Sequence, residues 1–225
     1  MTRVKTLGII GGIAPESTVA YYRNILELCR GAYPPVIINS IDLTKMIGLI
    51  TDARFDDLAV YLGAELEKLA RAGAEIALFA SNTPHIIFDT LRERSPLPLI
   101  SIVETARDAA VRAGLRRVAL FGTRFTMRAP FYARTFAEAG ISVVVPNDDD
   151  LEHIHHRYMS ELVNAQFLDS TRAELLHVID RIPNIDGVIL GGTELPLLLS
   201  ASEHAGVQLL DTGRLHAERA VEAMQ

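Results

Sequence analysis

Two apolar runs that end in polar residues, one 111 residues after the other, constrain this chain more than anything else in it. Ala74-Glu75-Ile76-Ala77-Leu78-Phe79 passes into Ala80-Ser81-Asn82-Thr83-Pro84-His85. Asp186-Gly187-Val188-Ile189-Leu190-Gly191 passes into Gly192-Thr193-Glu194-Leu195-Pro196. Ser81 thus aligns with Gly192, and Gly11 aligns with Gly122 at the same offset. Short continuous apolar runs bounded by turn residues fit strands buried on both faces, the kind found in parallel sheets. Ligands in open α/β sheets gather beyond the carboxyl ends of such strands. Two strand ends sharing one offset predict two similar lobes related by a pseudo-two-fold axis, with the site in the cleft between them.

The rest of the chain supplies the alternation this reading needs. Strand patterns fall at residues 4–10, 36–41, 75–79 and 99–103, then at 117–121, 142–145, 188–190 and 207–210. Helical spacing covers 16–30, 55–72 and 84–94, then 104–113, 128–139, 151–164, 170–182, 196–205 and 215–224. In 55–72, Leu58, Tyr61, Leu62, Leu66 and Leu69 form one stripe, and Gly73 stands where a C-terminal cap favours glycine. Strands alternating with helices imply an α/β fold of parallel sheets with right-handed crossovers. The expected lobes are 1–98 with 207–225, and 99–206, because the first lobe would otherwise be short of one crossover.

Several classes are disfavoured. A net charge of −6 gives no basic footprint for nucleic acid. No apolar run approaches the roughly 20 residues of a membrane-spanning helix. The N-terminus enters a strand pattern at once, without the layout of a secretory signal. The single cysteine, Cys29, cannot form an internal disulfide and fits a reducing cytoplasm. It lies on the apolar stripe of the first helix and reads as a small buried hydrophobe. A cytoplasmic homodimer is the expectation, the dimer resting on how common that assembly is.

The chemistry-bearing residues are short and polar. Asn82, Thr83, Thr123, Thr126 and Thr193 sit at strand ends beside the N–H groups of turns and helix starts, where carboxylates bind. Each also suits helix capping, but together they point to a small anionic ligand. Glu194 reads either as an acid/base or as a first-turn glutamate favoured by the helix dipole. His85 either orients Ser81 or packs on its helix. Asp148-Asp149-Asp150 with His153, His155 and His156 reads as a solvated acidic helix start, because only His153–His156 and Glu152–His156 have helical metal-ligand spacing. The Gly11-Gly12 turn lacks the full G-x-G-x-x-G of a dinucleotide loop. No cofactor and no metal are expected.

Gly11-Gly12-Ile13-Ala14-Pro15-Glu16-Ser17-Thr18, Ser81-Asn82-Thr83-Pro84-His85, Phe121-Gly122-Thr123 with Thr126-Met127, and Gly191-Gly192-Thr193-Glu194 resemble the aspartate/glutamate racemase family, in the right order over nearly the whole chain. The resemblance implies a cofactor-independent racemase of two flavodoxin-like lobes. In it, two thiols approach the substrate α-carbon from opposite sides; one removes the α-proton and the other returns a proton. It also adds Gly12, Ile13 and Gly192 to the substrate-binding residues and makes the loop holding Lys45 and Arg54 one that closes over the substrate. This chain has Ser81 at the first thiol position and Gly192 at the second, so the two-thiol mechanism cannot run. Some members use a hydroxyl at the first position. A serine is a weak base unless a neighbour takes its proton. At the second, Glu194 stands where related glutamate racemases carry a histidine, and it would act directly or through a water filling the gap left by Gly192.

Three functions follow. One is α-proton transfer on an amino acid or similar carboxylate, with Ser81 on one face and Glu194 or a water on the other. Another is one-sided chemistry (decarboxylation, elimination or cyclisation) in which Gly192 leaves room for a departing group or a bulkier substrate. The third is carboxylate binding without catalysis.

Overall fold

The computed structural model describes residues 3–199 and 203–225. The chain is α/β and separates into two compact units, Met1–Ser101 with His216–Gln225, and Ile102–Leu215. The first unit runs β1 (Leu7–Gly11), α1 (Pro15–Leu28), β2 (Val36–Ser40), α2 (Leu43–Thr51), α3 (Phe55–Arg71), β3 (Ile76–Phe79), a 3-10 turn (Thr83–Ile87) and α4 (Phe88–Arg94). The second runs α5 (Ile102–Arg112), β4 (Arg117–Gly122), α6 (Arg124–Arg128), α7 (Phe131–Ala137), β5 (Ser142–Val144) and α8 (Asp148–Ser160). It continues with α9 (Asp169–Arg181), β6 (Gly187–Gly191), α10 (Leu195–Leu198), β7 (Glu203–His204) and β8 (Val207–Asp211). A last helix, α11 (Thr212–Met224), begins in the second unit and ends in the first.

The duplication is visible in the sheets. The first is ordered β2-β1-β3 and the second β5-β4-β6-β8-β7, so the first three strands of each unit are laid out alike. All pairings are parallel except β7 with β8. Side chains alternate across a strand, and both faces of β1 and β3 are buried. Leu7, Ile9, Ile76, Leu78 and Ala80 share one cluster with Tyr21 and Ile25 of α1 and with Ala217, Ala220 and Met224 of α11. On the other face Gly8 admits α3, since a β-carbon there would stand 3.0 Å from Leu69 Cδ1 and from Ala74 Cβ.

Several expectations are corrected. The strand at 207–210 does not join the first lobe: Gln208 to Asp211 lie opposite Gly187 to Leu190 of β6, and only the helix after it reaches the first unit. Residues 99–103 are not a full strand. Ala77 donates to Pro98 O and accepts from Ile100 N, giving one parallel bridge to Leu99 before α5 begins at Ile102. The loop holding Lys45 contains α2, capped by Asp42, whose side chain accepts from Lys45 N at 3.0 Å; Met46, Leu49 and Ile50 are its buried stripe. Helix 84–94 opens as a 3-10 turn, and of 128–139 only α7 (Phe131–Ala137) is helical, apart from Arg128, which ends the separate helix α6 before Ala129-Pro130. The helix expected at 196–205 covers only Leu195–Leu198; residues 200–202 lie outside those described, and Glu203–His204 pairs antiparallel to β8. The turn between them, Ala205-Gly206, has φ of 50° and 84°, the double left-handed conformation of a tight type I′ hairpin.

Candidate active site

In the first unit the end of β1 turns sharply. Gly12 has φ of 81°, and a β-carbon there would stand 2.6 Å from Ser40 Oγ, so glycine is required on both counts. Its N–H donates to Thr18 Oγ1 at 2.8 Å, so this amide is already engaged within its own turn. Pro15 opens α1 in the first turn, where no N–H is missed. Ile13 is buried beside it. Ser17, wholly buried, directs its hydroxyl at Ala14 O (2.8 Å) and Ala80 O (3.0 Å), tying the start of α1 to the end of β3. That bond fixes the carbonyl immediately before Ser81.

Ser81, Asn82, Thr83 and His85 follow β3 and are all buried. Asn82 O accepts from His85 N at 3.0 Å in the 3-10 turn. The His85 ring stacks on Phe88 with centroids 4.5 Å apart and planes 8° apart. Burial holds its pKa well below the ordinary histidine value, and His216 nearby adds to this; hydrogen bonds with the backbone of Asn82 and Ser81 oppose it without prevailing. His85 is therefore a neutral ring near pH 7. His216 is buried as well, with Nε2 donating to Ile100 O at 3.0 Å, which leaves Nδ1 to accept from the Tyr21 hydroxyl at 2.8 Å.

In the second unit β4 ends at Gly122, and Thr123 caps α6: its Oγ1 accepts from Thr126 N at 3.3 Å and lies 3.1 Å from Thr126 Oγ1. Thr126 is fully buried, so both threonines are engaged in holding this helix start. The end of β6 is fastened as β3 is, since the Thr212 hydroxyl donates to Leu190 O at 2.8 Å. Beyond it come Gly192, Thr193 and Glu194.

The surroundings of Gly192 differ from the sequence expectation. A β-carbon on Gly192 would stand 2.9 Å from Cζ and Oη of Tyr158, a residue of α8, and closer still to Cε2. No gap awaits a water or a departing group there; an aromatic ring fills it. The Tyr158 hydroxyl donates to Glu194 Oε2 in a short hydrogen bond, and Thr193 Oγ1 donates to the same oxygen at 3.2 Å. Glu194 is 1% exposed and makes no side-chain cap to α10, its carboxylate turning to Tyr158 instead. Burial pushes the Tyr158 phenol well above the ordinary tyrosine value, and the adjacent Glu194 charge adds to this. Tyr158 is the residue that sequence reasoning missed. It continues the buried stripe of Leu151 and Ile154, and nothing local marks it as polar machinery.

The remaining candidates are occupied elsewhere. Lys45 Nζ lies 4.2 Å from the Tyr61 ring centroid, and Arg54 pairs with Asp57 at 2.8 Å. Asn147 caps α8 by accepting from Asp150 N, Asp150 pairs with Arg181, and His153 contacts Glu174 at 3.0 Å. Among the described residues no three histidine, cysteine or acidic side chains are placed to hold a metal ion, and no helix is long and apolar enough to cross a membrane. Cys29 packs against the first unit's core, and burial raises its thiol pKa.

Comparison with known proteins gives consistent matches. A family model described as Asp/Glu/Hydantoin racemase matches residues 10–220. The structure of an aspartate racemase homologue from Pyrococcus horikoshii superposes with a TM-score of 0.83 at 33% identity, covering 98% of this chain and 99% of that one. A glutamate racemase from Shewanella woodyi is 27% identical over 67% of this chain and 58% of its own length. A broad-specificity amino-acid racemase of Bacillus subtilis is 20% identical over 86% of this chain and 87% of its own. The chain spans no more than 60% of the length of the curated glutamate racemases it matches.

Proposed function

The chain belongs to the Asp/Glu/Hydantoin racemase family, and on that premise we propose that it moves the α-proton of a small amino acid or related carboxylate without a cofactor. Ser81 serves as acid/base on one face and Glu194 on the other. Asn82, Thr83 and Thr193, with the backbone of the turns at Ile13 and Gly192, receive the carboxylate. The observation that carries this reading is the pair of buried polar strand ends at matching positions of the duplicated sheets. Ser81-Asn82-Thr83 follows β3, Thr193-Glu194 follows β6, and all five are less than 9% exposed. Polar side chains withdrawn from water at the carboxyl ends of parallel strands are suited to a small charged ligand. His85, held neutral by burial, is a poor acceptor for the Ser81 proton, so Ser81 acts more readily by donating a proton than by removing one.

The test is α-proton exchange in heavy water, followed by NMR with each enantiomer of aspartate, glutamate and a panel of small amino acids. Exchange with inversion is expected for at least one pair, with inversion falling by about 10²-fold or more in Ser81→Ala. Exchange with retained configuration would move the assignment to one-sided chemistry. No exchange with any substrate at high enzyme concentration would refute proton transfer on these substrates.

A further inference from the structure

We propose that Tyr158 is the group that exchanges a proton with the substrate on the second face, with Glu194 as its proton partner. This rests on the α-proton transfer proposed above and supplies the atom that would perform it where position 192 offers none. Three observations converge. The Tyr158 ring occupies the space that a side chain on Gly192 would need, with Cζ and Oη 2.9 Å from where its β-carbon would stand. The phenol is joined to the Glu194 carboxylate by a short hydrogen bond, and Thr193 Oγ1 fixes the same carboxylate oxygen at 3.2 Å. Tyr158 and Glu194 are both buried, 6% and 1% exposed, so the proton they hold between them is screened from bulk water. A tyrosine placed only to fill a cavity needs its hydroxyl satisfied, and a backbone carbonyl would do. A buried carboxylate is a costly partner for that purpose alone.

The step balances as a relay. With Glu194 protonated, the Tyr158 O–H breaks as a new C–H bond forms on the carbanionic α-carbon, and the phenol oxygen takes the Glu194 proton, leaving a carboxylate. In the other direction the α-C–H breaks, its proton passes to the phenol oxygen, and the phenol's own proton passes to the carboxylate. Tyr158 ends each passage as a neutral phenol, in keeping with the raised pKa that burial and the neighbouring carboxylate impose. The net proton acceptor is Glu194, and Tyr158 carries its reach to the position a residue-192 side chain would have served.

Exchange measured separately for each enantiomer tests this. If each face has its own acid/base, removing one abolishes racemisation in both directions. It leaves α-proton exchange intact for the enantiomer handled by the other face. Tyr158→Phe keeps the ring and removes only the hydroxyl. It is expected to stop racemisation and to slow exchange of one enantiomer by about 10²-fold or more, while the other enantiomer exchanges as in the unaltered protein. Glu194→Gln is expected to spare the same enantiomer, and Ser81→Ala the opposite one. If Tyr158→Phe leaves both rates unchanged, or lowers both equally while circular dichroism and the melting temperature report a folded protein, the assignment to Tyr158 is overturned and the α-proton reading stands. Absence of exchange in the unaltered protein overturns both.

Discussion

The crowding at position 192 can be tested through stability alone. A β-carbon added there would stand 2.9 Å from Cζ and Oη of Tyr158 and closer still to Cε2, whereas carbon atoms in contact normally lie about 3.5–4.0 Å apart. The ring must therefore retreat by roughly 1 Å if the backbone holds. It has little freedom to do so, being buried on the inner stripe of α8 with its hydroxyl fastened to Glu194. Gly192→Ala should cost about 1–3 kcal/mol, the range for overpacking a close-packed interior. Tyr158→Ala should cost about 3–5 kcal/mol as a large buried ring is lost. In the double variant the added methyl enters space the ring has left, so the two costs should fall short of their sum by about 1–3 kcal/mol. Urea midpoints with unchanged m-values measure all four corners. Costs additive to within about 0.5 kcal/mol would mean that Tyr158 does not fill the position-192 space in solution. The same crowding means that Gly192→Cys alone cannot restore a thiol in place; it needs the ring removed too.

Two other perturbations follow from named groups. Burial lowers the His216 pKa to about 4, against about 6.5 in an unfolded chain, so the unfolded state binds the proton first. Its stabilisation is complete above pH 6.5 and is lost as the pH falls toward 4, reaching about 3 kcal/mol, and His85 acts in the same direction. Replacing the hydrogen-bonded pair by Tyr21→Phe with His216→Phe should flatten the urea-stability profile between those limits, and an unchanged slope would refute the burial argument. Thr123→Ala removes the cap of α6 and should cost about 0.5–2 kcal/mol. If it instead leaves stability intact and raises KM for a carboxylate substrate, Thr123 serves the ligand rather than the helix.

What was legible in the sequence was the part governed by burial. Strands such as Val118 to Phe121 and Val188 to Leu190, covered on both faces, must be continuously apolar, so both the strands and their duplication showed in the chain. Which strands pair is not written in periodicity: Val207–Asp211 looks the same whichever sheet receives it, and it lies against β6. Helix α2 left a legible trace, Asp42 as cap with Met46, Leu49 and Ile50 inward, but its nine residues are short enough to pass for a loop. At the site, the strand-end residues were legible because they are local to their strands. Tyr158 was not, since its apolar ring obeys the spacing of Leu151 and Ile154, and only the fold brings its hydroxyl to Glu194, 36 residues further on.

The two strand ends are fastened alike and equipped differently. A buried hydroxyl holds a carbonyl near each end, Ser17 on Ala80 O just past β3 and Thr212 on Leu190 O, the next to last of β6. After β3, Ser81, Asn82 and Thr83 have no group that ionises near neutrality, and His85 is kept uncharged by burial. After β6, a carboxylate is held by a phenol and a threonine hydroxyl. In the proposed reaction the first end would supply a neutral alcohol and the second a carboxylate-linked phenol. Under the proposed reaction, the direction that begins with proton removal through Tyr158 starts from the stronger acceptor, because Glu194 takes the charge of the proton and relieves its own buried charge. Removal by Ser81 needs its hydroxyl to lose a proton first, and the neutral His85 imidazole, its pKa lowered by burial, is too weak a base to take it. The two directions should therefore differ in kcat, with the enantiomer deprotonated through Tyr158 the faster.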